Sequence, residues 1–503
     1  MTDFPIFAAR RPYRLAPCWR LTPCWHLTPL VTAACLALTA GAAQAVDLSY
    51  LQDLLNATPQ GGWVQANIGK FSDAFPTGSV AVPDTTTYTL PGAIVRAWSS
   101  YAWDSTRGNL LIYGGGHANY RGNEVYAWSG ANGNWARGSL PSAIEYYVPT
   151  GADPRTYLVV DDAAPQSSHT YSGNLYLPKN DMFLTLGGGT FNSGDIFQTR
   201  NSAGELVRAG PWLWDPNKAD ANKVGGNTGS GYDLSTPGGN MWINRHGQSV
   251  GIEPRSYSNN TTAYRTEANR DVVYLTAPAE YSGFPALYRY SVGDVRHGGT
   301  DTWERIGESY YAPSGTATAV IDERHNLYVH TATLDGSQVD LGIWDLSKSN
   351  PVDPDANRDI AVELVNADGS AFAVNVNYGL AYDQASGKLL LWDGAEMGSL
   401  WETEAVVSPS GSVSGQWVVR KLTSSTAGQP GGNFATGVMG KWHYVAELGA
   451  LVALNEFSAT TQDAEVWLYK PLAAVPEPAA YILWLAGLGA AGLLSSRRLP
   501  KSS

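Results

Sequence analysis

Residues 101–115 read YAWDSTRGNLLIYGG: an apolar strand, a polar turn, a second apolar strand and a close on small residues. The same order recurs as LYLPKNDMFLTLGG from Leu175, AYRTEANRDVVYLTA from Ala263, AVIDERHNLYVHTA from Ala319, AYDQASGKLLLWDG from Ala381 and HYVAELGALVALNE from His443. A third strand follows most copies, clearest as NEVYAWS, ALYRYS, LGIWDL and AEVWLYK, and a fourth is often marked by a tryptophan, at Trp135, Trp303 and Trp417. A unit of four short antiparallel strands cannot bury its own apolar faces. Copies at roughly 55–90-residue spacing therefore predict an all-β protein built as a β-propeller.

Six four-stranded blades are visible, and the Gly-rich stretch from Gly225 to Gly251 leaves room for a seventh. The last copy shows three strands only. Trp63-Val64-Gln65-Ala66-Asn67 looks like an orphan of the fourth type. Pairing it with Ala464–Lys470 would complete the last blade and hide two sheet edges together. The double glycines after the second strands and the aromatics of the third and fourth resemble kelch repeats. This likeness to kelch and galactose-oxidase propellers covers most of Ala93 to Lys470. The implied organisation is a leader at 1–45, a linker at 46–61, the propeller at 62–471, a second linker at 472–478 and a C-terminal segment at 479–503.

The two ends carry addresses. Arg10, Arg11, Arg14 and Arg20 precede an apolar run from Leu30 to Ala42 that closes on Ala43-Gln44-Ala45. Small residues at those positions fit a signal peptidase, so the expected mature start is Val46. The run is short for a membrane span at about 1.5 Å per residue against ~30 Å of hydrocarbon. At the other end, Val475-Pro476-Glu477-Pro478 is followed by an apolar run from Ala479 to Leu494 and then by Arg497, Arg498 and Lys501. That order resembles the PEP-CTERM sorting signal of Gram-negative bacteria that make exopolysaccharide. The resemblance implies transient membrane anchoring through the C-terminal helix and processing by an exosortase. The basic cluster would stay cytoplasmic, leaving the rest outside. The destination is then the cell surface, outer membrane or exterior.

Composition narrows the chemistry. Taking the four arginines and Asp3 of the leader and the three basic residues after Pro478 from totals of 33 and 45 leaves 26 basic against 44 acidic residues, a net of −18. Such a surface repels phosphate backbones and excludes nucleic acid as a partner. The three cysteines, Cys18, Cys24 and Cys35, all lie in the leader. Without them the mature chain has no disulfide, no thiolate metal site and no copper-radical centre of the galactose-oxidase kind, which needs a cysteine cross-linked to a tyrosine. The acidic run Asp353–Asp359 lacks the central Gly and closing Glu of a calcium loop and reads as a solvated turn. No cofactor or metal is expected.

Polar residues gather on the propeller face shared by the loops between second and third strands and the lead-ins to the next blades. The densest segment is Gly114–Glu124, with His117, Asn119, Tyr120, Arg121 and Glu124. His169 and Tyr171 precede the second blade, and Arg255 and Tyr257 the third. Glu280 and Tyr281 fall on the third blade's loop, Glu456 on the last, and His443 on an inner strand. Two functions fit. One is a surface or matrix protein binding polysaccharide or another protein through His117, Asn119, Tyr120, Arg121, Glu124, Glu280, Tyr281, His443 and Glu456. The other is a carbohydrate-active enzyme. Its fold and residue types resemble those of propeller polysaccharide lyases, the ulvan lyases among them. That resemblance implies His117 or His169 as base, Tyr171 or Tyr257 as acid and Arg255 as the partner of a uronate.

Overall fold

The computed structural model describes residues 46–473 apart from 84–89, 118, 148–155, 161, 192–193, 228, 230, 279–284, 310–316, 332–339, 375–377, 433 and 435. The expected leader and sorting helix lie outside the described residues. Among those described, no helix is long and apolar enough to cross a membrane.

Six antiparallel four-stranded units follow one another along the chain. Blade one is Tyr101–Asp104, Asn109–Ile112, Tyr126–Ser129 and Trp135–Arg137; blade two is Asn174–Leu177, Met182–Thr185, Trp212–Trp214 and Trp242–Asn244. Blade three is Thr261–Glu267, Arg270–Pro278, Pro285–Ser291 and Asp301–Glu308. Blade four runs Ala319–Asp322, Leu327–Thr331, Leu341–Asp345 and Ile360–Asn366, and blade five Gly379–Asp383, Lys388–Trp392, Leu400–Thr403 and Gln416–Leu422. Blade six has Trp442–Val445, Ala450–Ser458 and Asp463–Lys470, with Gly62–Gln65 as its outer strand. The second strands are buried on both faces, which is why MFLT, LYVHT and ALVAL are nearly continuous apolar runs rather than alternating ones.

The turn after the innermost strand has a local cause. Asp104 accepts the Thr106 and Arg107 amides at 3.0 Å each, Asp322 those of Arg324 and His325 at 3.0 and 3.2 Å, and Asp383 that of Ala385 at 2.9 Å. Aspartate thus reverses the chain before the second strand begins. The same turns tie blades together: Arg107 reaches Asp181 of blade two at 2.8 Å, and Arg265 of blade three reaches Asn326 of blade four at 2.6 Å.

The ring is closed by the N-terminal strand, as its sequence implied. Trp63 lies opposite Tyr469 and Gln65 opposite Trp467 in antiparallel register. Trp63 is 2 % exposed and sits 5.5 Å from Trp442 and 5.1 Å from Tyr469 between ring centroids. Phe71 then packs against Tyr126 and Trp135 of blade one, so the same segment fills the seam between the first and last blades.

Two expectations are corrected. Residues 46–61 are not a linker: Ser49–Ala57 is a helix whose Leu51 and Leu55 are buried in the core. Lys470 Nζ donates to the Leu55 and Thr58 carbonyls at its end, at 2.8 and 3.0 Å, satisfying acceptors that the last helical turn leaves free. Nor does the stretch 225–251 form a seventh blade. It supplies the fourth strand of blade two, around Trp242, and then Ser249–Gly251, which pairs in parallel with the outer strand of blade three. Blades four and five are also joined at their rims by a parallel pairing, Glu363 opposite Gln416 through Asn366 opposite Val419.

Candidate functional site

The glycine-rich loop after the second strand of blade one crosses directly over the lead-in to blade two. A Cβ on Gly116 would overlap the Ser168 and His169 backbone, so only glycine permits that approach. The crossing brings His117 to His169, with ring centroids 5.3 Å apart, and puts Asn119 Nδ2 2.8 Å from His169 Nε2. On its other side, Ser168–His169 forms a short ribbon with Gly189–Thr190 in which His169 pairs with Gly189. Tyr171 follows, its ring 6.1 Å from His169.

Gly189 marks the centre of the group. A Cβ built on it would lie 3.6 Å from His169 Nδ1, 3.6 Å from the Tyr171 hydroxyl oxygen and 3.7 Å from the His117 Cβ. Those are ordinary contact distances. Three side chains from two blades therefore border one small space that a side chain at 189 would fill. Trp98, half-buried, packs on the His169 ring at 4.9 Å between centroids.

The backbone around this space is strained. His117, Tyr171 and Met439 have φ of 35°, 50° and 50°. Bulky residues avoid the left-handed region, at about 1–3 kcal/mol each, and persist there only where surrounding structure imposes it. Met439 leads through Gly440 to Lys441, a residue only 1 % exposed whose Nζ lies 3.4 Å from the Ala97 carbonyl and 5.0 Å from the Phe434 ring centroid.

The site is poor in charge. Burial, with His117 and Lys441 adding to it, holds His169 down to about 3, so its imidazole is neutral. Burial likewise raises the Tyr171 phenol, which keeps its proton. Lys441 is lowered to about 7 by burial, with the Glu456 carboxylate pulling the other way.

The remaining expected site residues are dispersed. Tyr120 and Glu124 do not face a ligand: both are fully buried, and Glu124 Oε1 accepts the Tyr120 and Tyr126 hydroxyls at 2.5 and 2.6 Å inside blade one. Burial raises the Glu124 carboxyl accordingly. Arg121 is buried too and donates to the Pro83 carbonyl. Tyr257 is buried, with the Arg208 guanidinium 5.4 Å from its ring centroid, and so cannot act as an accessible acid; Arg255 is exposed. His443 lines a cavity of about 240 Å³ with Tyr264, Tyr382 and Tyr444 of the inner strands. Glu456 pairs with Arg96 at 3.5 Å and borders a cleft of about 430 Å³. Glu280 and Tyr281 lie outside the described residues. In the expected solvated turn, Asp355 pairs with Arg358 at 3.2 Å. Among the described residues, no three His, Cys, Asp or Glu side chains are placed to hold a metal ion.

Sequence reasoning missed Trp98, Gly189 and Lys441. Trp98 and Lys441 had a readable signal, since each lies in the lead-in to an inner strand, as His169 does. Gly189 had none, because its role is the absence of a side chain opposite His169.

The family described as PEP-CTERM protein-sorting motif matches residues 474–498. The chain carries that motif, which marks an exported, cell-surface-directed protein of a Gram-negative bacterium and implies processing by an exosortase. No curated protein matches the chain. Among solved structures it is similar to a triple mutant of AofleA from Arthrobotrys oligospora, at 9 % identity and a TM-score of 0.32, over 81 % of this chain and 100 % of that one. It is similar also to the Dos1 propeller, at 7 % identity and a TM-score of 0.31, over 75 % of this chain and 95 % of that one.

Proposed function

We propose that this surface-directed propeller binds polysaccharide through the space over Gly189. The observation that supports it is the convergence of His169 Nδ1, the Tyr171 hydroxyl and His117 on one point, imposed by left-handed backbone at two of the three residues. The neutral His169 imidazole and the protonated Tyr171 phenol offer hydrogen bonds to a sugar's hydroxyls, and the half-buried Trp98 indole beside His169 offers an apolar surface for its C–H face. The lyase reading finds His169 and Tyr171 adjacent but is the weaker of the two. An imidazole held down to about 3 is a feeble base at neutral pH, and Tyr257 is enclosed.

The test is Gly189→Ala. Residue 189 is not left-handed and a Cβ there meets nothing closer than 3.6 Å, so the variant folds while its methyl occupies the space a ligand oxygen would use. The wild-type domain is expected to be retained by an immobilised polysaccharide and Gly189→Ala to pass through, with equal melting temperatures. Equal retention of both would overturn the reading.

A further inference from the structure

The cavity of about 240 Å³ beside His443 is lined from blades two to six, which places it on the propeller axis. We propose that it binds a methylated ammonium group, held by the rings of Tyr264, Tyr382 and Tyr444 and by the carboxylate of Glu323. It shares no residue with the space over Gly189.

The lining is aromatic, with one acid and no charged base. Tyr264, Tyr382 and Tyr444 come from the inner strands of blades three, five and six, and Glu323 follows that of blade four. Two of the phenol oxygens are already engaged at the blade turns. Tyr264 donates to Asp271 Oδ1 at 2.8 Å, and Tyr382 accepts the Arg324 amide at 3.3 Å. What these residues offer a ligand is the ring, whose π cloud attracts a cation even when that cation has no N–H to donate. His443 adds no positive charge, because burial holds its imidazole down to about 4 and Nε2 lies 2.9 Å from the Gly440 carbonyl.

Glu323 supplies the charge that such a cation needs. It is exposed, and among the described residues it forms no ion pair and accepts no hydrogen bond. Its basic neighbours are committed elsewhere: Arg265 pairs with Glu267 at 2.5 Å, and Arg324 Nη2 donates to the Ser386 carbonyl at 2.9 Å. Partial burial raises the Glu323 carboxyl, with Arg265 opposing and Asp322 and Glu267 adding to it. An ammonium beside the carboxylate offsets that cost. The net charge of −18 between the two ends draws cations toward the protein. A space below the about 300–1,000 Å³ of drug-sized sites suits a small headgroup.

Glu323 and Gln384 directly follow the first strands of blades four and five. The third strand of blade six runs parallel to its first and finishes at that same end, at Lys470, ahead of the sorting motif at 474–498. The cavity therefore opens on the side from which the chain leaves toward that motif, where a free solute and a lipid headgroup are both within reach.

Isothermal titration of the protein compares choline with its neutral isostere, in which a tert-butyl group replaces the trimethylammonium. Sedimentation with phosphatidylcholine vesicles separates the two sources. Choline is expected to bind at least about tenfold more tightly than the isostere. Glu323→Gln changes an exposed side chain, leaves the core untouched and should weaken choline binding about tenfold. Tyr264→Leu should bind choline about tenfold more weakly than Tyr264→Phe, which keeps the ring. Asp271 retains the Lys179 and Asn180 amides in both variants, at 3.1 and 2.9 Å. Sedimentation with vesicles that choline competes away supports a lipid source, and choline binding without it supports a soluble one. No choline binding, equal affinity for the isostere, or indifference to Glu323→Gln overturns the inference, whatever Gly189→Ala does to polysaccharide retention.

Discussion

His169 and Gly189 face each other across a two-residue antiparallel ribbon, so the His169 Nδ1 overhangs a residue without a side chain. That pairing, rather than the histidine itself, creates the open space. It also explains why His117 is tolerated at φ 35°: the loop must turn back over the ribbon to close its third side. His117 is exposed and contributes little to the core. His117→Gly should therefore relieve the strained backbone and raise stability by about 0.5–1 kcal/mol, while weakening polysaccharide retention. Paired urea titrations and retention assays check this. A variant that loses both stability and binding would mean that the ring is structural.

The ring closure predicts a large effect from a small truncation. Removing Val46 to Asn67 takes away the helix with its buried Leu51 and Leu55 and the outer strand of blade six with its buried Trp63 indole. Each fully buried large side chain is worth about 1.5–3 kcal/mol, so the loss exceeds several kcal/mol. Calorimetry of the truncated domain should show a melting temperature lowered by ten degrees or more, or no cooperative transition. Unchanged melting would refute closure by this strand.

The propeller was legible because its signal is carried six times. The polar turn and the apolar second strand recur in every copy, so degeneration of any one does not hide the pattern, and an unmatched strand at each end implied their pairing. Blade two was harder, since its fourth strand around Trp242 comes after a long excursion and lies within a Gly-rich stretch. The site was half legible. His117, His169 and Tyr171 stand at comparable loop positions, and rotation of neighbouring blades about one axis brings such positions together. Tyr120 and Glu124 stand in the same polar segment but turn inward, because a buried carboxyl can be satisfied by two phenols. Sequence position alone does not distinguish a loop side chain that faces out from one that folds back.

The sorting motif at residues 474–498 and the Ala43-Gln44-Ala45 sequence predict the chain that reaches the surface. Intact-mass measurement on protein from its native host should find Val46 as the first residue and no peptide containing Arg497. A membrane-embedded form that still carries Arg497 and Arg498 would refute exosortase processing.

Lys441 gives the clearest pH signature. Its ammonium is enclosed at 1 % exposure with one long hydrogen bond to the Ala97 carbonyl, and burial lowers it to about 7 from an ordinary 10.5. The charged group acting on it is the Glu456 carboxylate, itself paired with Arg96, while the His169 imidazole on the neighbouring lead-in is neutral. Between pH 7 and 10.5 the unfolded chain holds this proton and the folded one releases it, so the folded state gains stability as pH rises through that window. Below pH 7 both states are protonated, and the full cost of the buried charge remains. Lys441→Met fills the same volume without that cost and leaves Glu456 its Arg96 partner. The variant should be more stable than wild type by a few kcal/mol at pH 7, with the difference shrinking toward zero near pH 10.5. Urea titrations of both proteins at pH 7, 8.5 and 10 read the slope directly, and groups common to both cancel in the difference. A methionine variant that is less stable at pH 7, by an amount independent of pH, would show instead that the ammonium is fully satisfied where it lies.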